Sequence, residues 1–591
     1  MMQFGHNYRR IKQKLTILAV EKHTTMISRN SHVISKALKN FLSASVMTSL
    51  AGQLAVTTDA VIVSHMVGSD ALSAINIVMP LTMLFSCASI LIGLGASVLA
   101  ARAIGDRDKE RVNSIFTIAL IMLTVAGVAV SAITCMNSHD IAYALCDDAR
   151  IAPYAYEYTR IITGGALFLI ISNGINYFVS TDGNPGLVTR GVAAGAVANV
   201  LLDIILVGQM GIAGSAWATI VNYMITLAMV STHFFRRGSS YRLVNPLKGL
   251  GGHILRNIYE GLPLMLGNLL LGGAVFIINS MILSAAGADG VYIWSVCLQV
   301  LMLTFVILNG VGNAMLSIGG VLMGEKDYNG IRILTRLSTG FVSATLALFV
   351  LLVLLFPEAP AYLFGAEGAP AGIDTTTPLR IFSLLLVPFA VTLIMRFLFQ
   401  ILEYRILSLL MSVGQLMGII ATLWIFIRID PDILWWSFPV SAVVLIVIQL
   451  AATSAIYMRR RGISPVTLIP DEPEGERSID LSIAYDEKAT SLAITKIGEF
   501  LELYDVTAGI ADRLKECCKE IMHSLITGAK RKKRCFDIHI RIIGNDVHAV
   551  LRDADHRSDA RLLPATLPAT VEHKYMYGQN VLFVHLKEKH T

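Results

Sequence analysis

The sequence predicts an all-α polytopic membrane protein with a soluble α/β domain at its C-terminus, and three observations predict that class. Charged residues make up only 15% of the 591-residue chain and apolar ones 54%, with a mean hydropathy of +0.63; a soluble domain carries about a quarter charged residues. The deficit is confined to residues 36–458, a series of apolar tracts, while 462–591 reads as ordinary soluble protein. The apolar region also repeats itself at a fixed offset.

A helix needs about 20 apolar residues to cross the hydrocarbon core, and backbone polar groups inside lipid must be satisfied within the segment. Breaks at charges, Gly and Pro give twelve helices, near 37–64, 72–103, 113–135, 157–180, 188–208, 211–234, 259–285, 290–322, 331–355, 378–401, 405–427 and 433–458. The expected organisation is an N-terminal segment (1–35), an N-lobe (36–240), a C-lobe (250–460), a linker (462–480) and a soluble domain (481–591).

Basic residues set the orientation. One set of loops holds Arg107, Lys109 and Arg111; Arg236, Arg237, Arg242 and Lys248; Lys326, Arg332 and Arg336; Arg405; and Arg459, Arg460 and Arg461. The opposite loops carry mostly acids, among them Asp70, Asp140, Asp147, Asp148, Glu358, Glu367, Asp374, Asp430 and Asp432. A multi-pass protein of the plasma membrane with both termini cytoplasmic is therefore expected, and an even number of spans agrees. The start is polar and basic (Arg9, Arg10, Lys12, Lys14), so no removable signal peptide is expected. A net charge of +6 gives no argument for nucleic acid. The seven cysteines show no metal spacing. Cys135 and Cys146 share one outer loop, where a disulfide and two free thiols both remain open.

The repeat has an offset of 219 residues: Gly68-Ser69-Asp70 recurs as Gly287-Ala288-Asp289, Gly93 as Gly312, and Gly105-Asp106-Arg107-Asp108 as Gly324-Glu325-Lys326-Asp327. Both copies face the same way, so two parallel six-helix lobes are expected, with a cleft between them suited to alternating access.

Ionisable residues inside a span are costly and mark function. Asp59 stands within Leu54–Val63 of the first helix, and Asp203 within Ala198–Ile205 of the fifth, one turn from Asn199. Asn176 of the fourth helix is a third polar group in that lobe. Two carboxylates in one low-dielectric pocket cannot both ionise cheaply, so the pair reads as a proton carrier or, with the amide carbonyls, as an oxygen-lined Na⁺ site at Asp59, Asn199 and Asp203. The second lobe lacks this set: Ile278 stands at the repeat position of Asp59, and the tenth helix has Arg380 and Arg396 near its ends and no carboxylate.

These residues resemble the multidrug and toxic compound extrusion (MATE) family over about residues 36–458. The resemblance rests on Asp59…Gly68, on Ala100-Ala101-Arg102-Ala103-Ile104-Gly105-Asp106, on Asn199-Val200-Leu201-Leu202-Asp203 followed by Gly211–Thr219, and on Gly261-Leu262-Pro263. It implies cation-driven antiport of organic, often cationic or amphipathic, compounds with H⁺ or Na⁺, without a cofactor. Similarity to the DinF-like branch implies a cation site at Asp59, Asn176, Asn199, Asp203 and Thr219. The family's proline early in the first helix is replaced by Ala44 or Ser45, which puts proline-dependent bending there in doubt.

After the Pro- and acid-rich linker, Ala489–Leu503 and Val506–Thr527 read as helices, and 536–542, 547–552 and 581–586 as strands. This order resembles the anti-sigma-factor type of histidine-kinase ATPase. Glu520 fits its first acidic position and Asp553 its adenine-contacting Asp, while Tyr577-Gly578-Gln579-Asn580-Val581 is similar to its closing segment. Ser524 stands where the Mg²⁺-ligating Asn belongs, and the Gly-rich phosphate turn reads Asp553-Ala554-Asp555-His556-Arg557, so a degenerate module that regulates or binds a cytoplasmic protein is expected. The run Lys530–Arg534 reads as a solvated loop or a contact to anionic lipid. No GxxxxGK[ST] loop occurs, so neither an enzyme nor an ATP-driven pump is expected. Two alternatives to an antiporter stay open: a flippase for a lipid-linked precursor, and a receptor signalling through the tail.

Overall fold

The computed structural model describes residues 31–146, 148, 150–236, 238–245, 250–359, 374–460, 462–471, 477–528, 535–543, 546–554 and 570–586. The basic N-terminal residues, loop residues Asp147, Arg237, Lys248, Glu367 and Arg461, the run Lys530–Arg534 and the turn Asp555-His556-Arg557 lie outside them. The chain divides into two units, Leu38–Asp471 and a second made of Met1–Ala37 with Glu472–Thr591.

The larger unit is helical. In its first lobe α1 is His32–Met66, and α2 runs Ser69–Ser89, takes a π turn at Ile90–Leu94 and resumes as Gly95–Gly105. Then come α3 (Lys109–Met136), the bent α4 (Ala152–Gly164 and Ala166–Thr181), α5 (Pro185–Met210) and α6 (Ile212–Ser231). In the second lobe α7 is Ile254–Gly287, α8 Asp289–Gly324 and α9 Tyr328–Leu355. It ends with the bent α10 (Thr376–Ser383 and Leu386–Ile401), α11 (Arg405–Ile429) and α12 (Ser437–Arg459). Among the described residues, eleven helices are long and apolar enough to cross a membrane, and α4, bent by 52°, makes twelve. Large apolar side chains such as Val125, Leu348 and Val447 stand exposed along them, as lipid contact requires.

The repeated motifs fold alike. Gly68 and Gly287, at φ 122° and 65°, turn α1 into α2 and α7 into α8 in the left-handed region open to glycine. Arg107 and Lys326 both take φ 59°. The aspartates that follow cap the next helix: Asp108 accepts from the Arg111 amide at 2.9 Å and Asp327 from the Gly330 amide at 2.7 Å. We call this end of the bundle the turn end. The bend of α4 falls at Gly164–Gly165, where a Cβ on Gly165 would lie 2.4 Å from Ile220. Cys135 and Cys146 are free thiols.

The smaller unit contains β1 (Arg477–Ala484), α13 (Glu487–Leu503), α14 (Ala508–Gly528), β2 (Cys535–Ile543), β3 (Asp546–Asp553), β4 (Thr570–Met576) and β5 (Gln579–Leu586). Its sheet is antiparallel throughout, in the order β1-β2-β3-β5-β4. The expected α/β domain is thus corrected to an antiparallel sheet whose apolar face (Leu481, Ile538, Ile540, Leu551, Val584) shares one core with Ile497, Leu514, Cys518 and Met522 of the helices. Consecutive strands pair directly or through hairpins here, so no parallel crossover forms. Sequence reading missed β1, which begins within the stretch assigned to the linker, although Ile479, Leu481 and Ile483 alternate. The segment Tyr577–Val581 proves to be a hairpin: Tyr577 and Gly578 both have positive φ between the paired Met576 and Gln579.

Candidate functional site

Both carboxylates expected in the first lobe are enclosed by α1, α5 and α6. Asp59 is 8% exposed, and its Oδ1 accepts from the Ser215 hydroxyl of α6 at 2.7 Å. Asp203 is 0% exposed, and neither of its oxygens has a donor. The two aspartates lie within electrostatic reach of each other. Asn199, one turn before Asp203 on α5, is buried with an unpartnered Nδ2. The α5 geometry follows from its sequence: Pro185 opens the helix at its first turn, and apolar residues fill the positions between the polar ones.

Thr219 of α6 joins this group through a residue the sequence did not single out. The Tyr158 hydroxyl of α4 is hydrogen-bonded with Thr219 and lies within electrostatic reach of Asp59, Asp203 and Tyr223. Ser215 was missed as well. A tyrosine or serine costs little in a core once hydrogen-bonded, so neither stands out in an apolar tract as a carboxylate does.

Asn176 is placed differently. No hydrogen bond joins it to either aspartate among the described residues, and its Oδ1 has no partner. It faces a cavity of about 180 Å³ lined by Ser45 and Thr48 of α1, Ser97 of α2, Asn173 and Tyr177 of α4, and Asn313 and Ser317 of α8. Both lobes contribute, and the polar groups are hydroxyls and amides, which suits an uncharged hydrogen-bonding ligand or water.

At the turn end the lobes meet backbone to backbone. A Cβ on Gly105 would lie 2.1 Å from the Val321 carbonyl oxygen, and one on Gly324 2.1 Å from that of Arg102. Arg102 of the first lobe, 3% exposed, pairs with Glu260 of α7 at 2.8 Å and with Glu403 at 3.1 Å. Glu260 also pairs with Arg405, and its backbone carbonyl accepts from Gln400 at 2.7 Å. In the second lobe Arg396, which reads from sequence as a residue near a helix end, is 9% exposed.

In the smaller unit Asp553 ends β3 opposite Asn580 of β5. It accepts from the Tyr485 hydroxyl and from Asn580 Nδ2 at 3.3 Å. Glu520 on α14 keeps one enclosed, unpartnered oxygen, and Ser524 stands one turn beyond it.

Two six-helix lobes with an acid pair enclosed in one of them define a multi-pass membrane transporter rather than an enzyme. The MatE family model matches residues 44–205 and again 263–424, two stretches displaced by the 219 residues of the internal repeat (44 to 263). Together they cover more than half of the chain, which belongs to the MatE family. Among relatives, the multidrug export protein MepA of Staphylococcus saprophyticus is 24% identical over 223 residues, 36% of this chain and 48% of that protein. The probable multidrug resistance protein YoeA of Bacillus subtilis is 24% identical over 181 residues, 30% of this chain and 39% of that protein. The chain thus spans about half the length, or less, of these relatives. The outward-facing conformation of a multidrug resistance MATE family transporter of the MOP superfamily superposes with a TM-score of 0.64 at 22% identity, covering 70% of this chain and 94% of that one. A MOP superfamily transporter from Pyrococcus furiosus gives 0.66 at 21% identity, covering 73% and 99%. At such identities the likeness is one of fold.

Proposed function

We propose that the chain is a secondary active transporter that exports organic, often cationic or amphipathic, compounds by antiport with H⁺ or Na⁺, with both termini cytoplasmic. One observation carries the reading: Asp203 is enclosed with no donor to either oxygen. An ionised carboxylate so placed costs several kcal/mol, so a proton or a cation accompanies it whenever the pocket is closed. The residues present fit either ion. A proton neutralises Asp203 directly, and the oxygens of Asp59, Asn199 and Asp203 offer a hard cation its preferred donors. Ser215 holds Asp59 against α6, so movement of α6 changes what Asp59 offers its partner. Asn176 and Thr219 complete the proposed coupling set. Loading and release of the ion as the lobes tilt would drive export.

Proteoliposomes with an imposed pH or Na⁺ gradient test this. Either Asp59→Asn or Asp203→Asn is expected to abolish gradient-coupled flux, and the gradient that drives wild-type flux names the ion. Undiminished flux in both variants would remove the assignment. Supporting a regulatory, non-hydrolysing tail, Asp553 is already engaged by Tyr485 and Asn580. Micromolar Mg·ATP binding by the full-length protein would overturn that part. The second reading, a flippase for a lipid-linked precursor, draws on the enclosed Arg396, and scrambling of labelled anionic lipid in the same vesicles separates it from export.

A further inference from the structure

The second lobe encloses a cation that no acid meets. Arg396 of α10 is 9% exposed. Its Nη1 donates to the Ser412 hydroxyl of α11 at 3.2 Å, its Cζ lies 5.2 Å from the Phe397 ring centre, and its Nε is enclosed without an acceptor. Among the described residues no carboxylate lies within ion-pair distance of it; Glu260 and Glu403 are committed to Arg102 and Arg405. Room for the guanidinium comes from Gly267 of α7, where a Cβ would sit 2.6 Å from Nη1.

The repeat shows what this position corresponds to. Beyond their bends α4 runs Ala166–Thr181 and α10 runs Leu386–Ile401, so Asn176 and Arg396 are each the eleventh residue of equivalent segments. Gly267 is likewise the repeat partner of Thr48, 219 residues earlier, which lines the cavity Asn176 faces. Equivalent places in the two lobes therefore carry opposite chemistry: acids and amides in the first, a guanidinium without a counter-ion in the second. An unpaired buried cation is far more costly than an apolar side chain of its size. A residue kept only to fill α10 would not need the charge.

We propose that Arg396 receives an anionic group, a carboxylate or phosphate, on the transported compound. Ser412 holds one side of the guanidinium and leaves the Nε edge for a charge-assisted hydrogen bond to that group. The cargo is then zwitterionic or anionic, its cationic part, when present, being matched by the acids of the first lobe. The transporter reading supplies the word cargo; the binding of an anion at Arg396 does not depend on it.

The test is binding to the full-length protein in phosphatidylcholine nanodiscs, using 4-phenylbutyrate and phenyl phosphate against the neutral 4-phenylbutyramide. The anionic probes are expected to raise the thermal midpoint and the amide to leave it unchanged, a comparison that needs no variant. Arg396→Gln is expected to weaken the anionic probes about tenfold or more, and Arg396→Lys, which keeps the charge but loses the fork, to fall between. Equal binding of acid and amide by the wild type, or anion binding untouched in Arg396→Gln, would overturn the proposal. If phosphatidylglycerol in the disc competes the probes away, the anionic group is a lipid headgroup; if it does not, the group belongs to a soluble compound. Gradient-driven flux plays no part in these readings, so loss of coupling and loss of the anion site are told apart.

Discussion

Replacing Glu260 by Gln is expected to open the seam between the lobes at the turn end. The carboxylate is 0% exposed and accepts from Arg102 across the lobes at 2.8 Å. Its pairing with Arg405 lies within the second lobe and survives any tilt of one lobe against the other, so only the Arg102 bond discriminates between closed and open. A hydrogen bond between charged groups contributes about 1.5–3 kcal/mol, and the amide of Gln retains part of it. The remaining Arg102 partner, Glu403, is 42% exposed and holds little by itself. The net shift against the closed seam is about 2 kcal/mol, roughly thirtyfold in population at 1.4 kcal/mol per tenfold. Spin labels at Lys109 and Asn329, exposed first-turn residues of α3 and α9 in the two lobes, report the separation by double electron–electron resonance. Glu260→Gln should add a longer-distance population, and Arg102→Gln should add little more in the double variant, because both remove the same bond. A distance distribution unchanged from wild type would refute the reasoning.

Three further outcomes follow from the geometry. Burial pushes the Glu403 carboxyl up, but Arg102, Arg405, Arg256 and Lys326 outweigh it, so it stands below its usual value of 4.5. A depressed carboxyl stabilises above the unfolded value and loses that as pH falls through the folded one. The label distance should therefore hold from pH 7 to 5 and lengthen only below 4.5, and Glu403→Gln should remove the acid response. In the smaller unit burial, then Glu520 and Glu516, push the Cys517 thiol up to about 12, and burial raises Cys518 as well. Because the thiolate is the nucleophile, iodoacetamide at pH 8 should leave both unmodified until the protein is denatured, and native labelling seen by mass spectrometry would contradict this. Tyr485→Phe takes one of two donors from Asp553, itself 5% exposed, and should weaken hydrogen-exchange protection of β3 by about 1–2 kcal/mol; protection equal to wild type would show that Asn580 alone suffices.

The spans were legible because the thickness of a bilayer translates directly into tract length, and the lobes because turn chemistry recurs: Asp108 and Asp327 cap their helices in the same way. The local departures were hidden. The π turn at Ile90–Leu94 sets Gly93 against α4, where a Cβ would lie 2.5 Å from Gly174 Cα, and no periodicity within α2 encodes that contact. At the site, Asp59 and Asp203 announced themselves because charge is expensive in an apolar tract. Tyr158 and Ser215 did not, since their roles exist only once α4 and α6 are packed. Arg396 was visible but read as a helix-end residue, for position along a helix says nothing about which face the neighbouring helices cover. The tail's β1 was obscured for another reason: its alternating Ile479, Leu481 and Ile483 follow directly on a Pro- and acid-rich stretch.

Symmetry and its breaking divide the labour between the lobes. Where they share a seam, the two copies are nearly interchangeable: Gly105 abuts Gly324, and matched positive-φ residues at Arg107 and Lys326 lead into matched caps. A seam of that kind lets two similar bodies rock about one contact, since neither presents a side chain that must be displaced. In their interiors the copies diverge, and the divergence falls on equivalent positions: Ile278 for Asp59, Arg396 for Asn176. Had both interiors kept the acids, a cargo entering between them would meet like chemistry on each side. As they stand, the acids and the guanidinium face any bound compound with opposite demands, and one molecule can answer both only by carrying charge of both signs or by sharing the site with the coupling ion. Cargo and ion binding should therefore be linked even in the absence of a gradient, each altering the affinity of the other by the same factor.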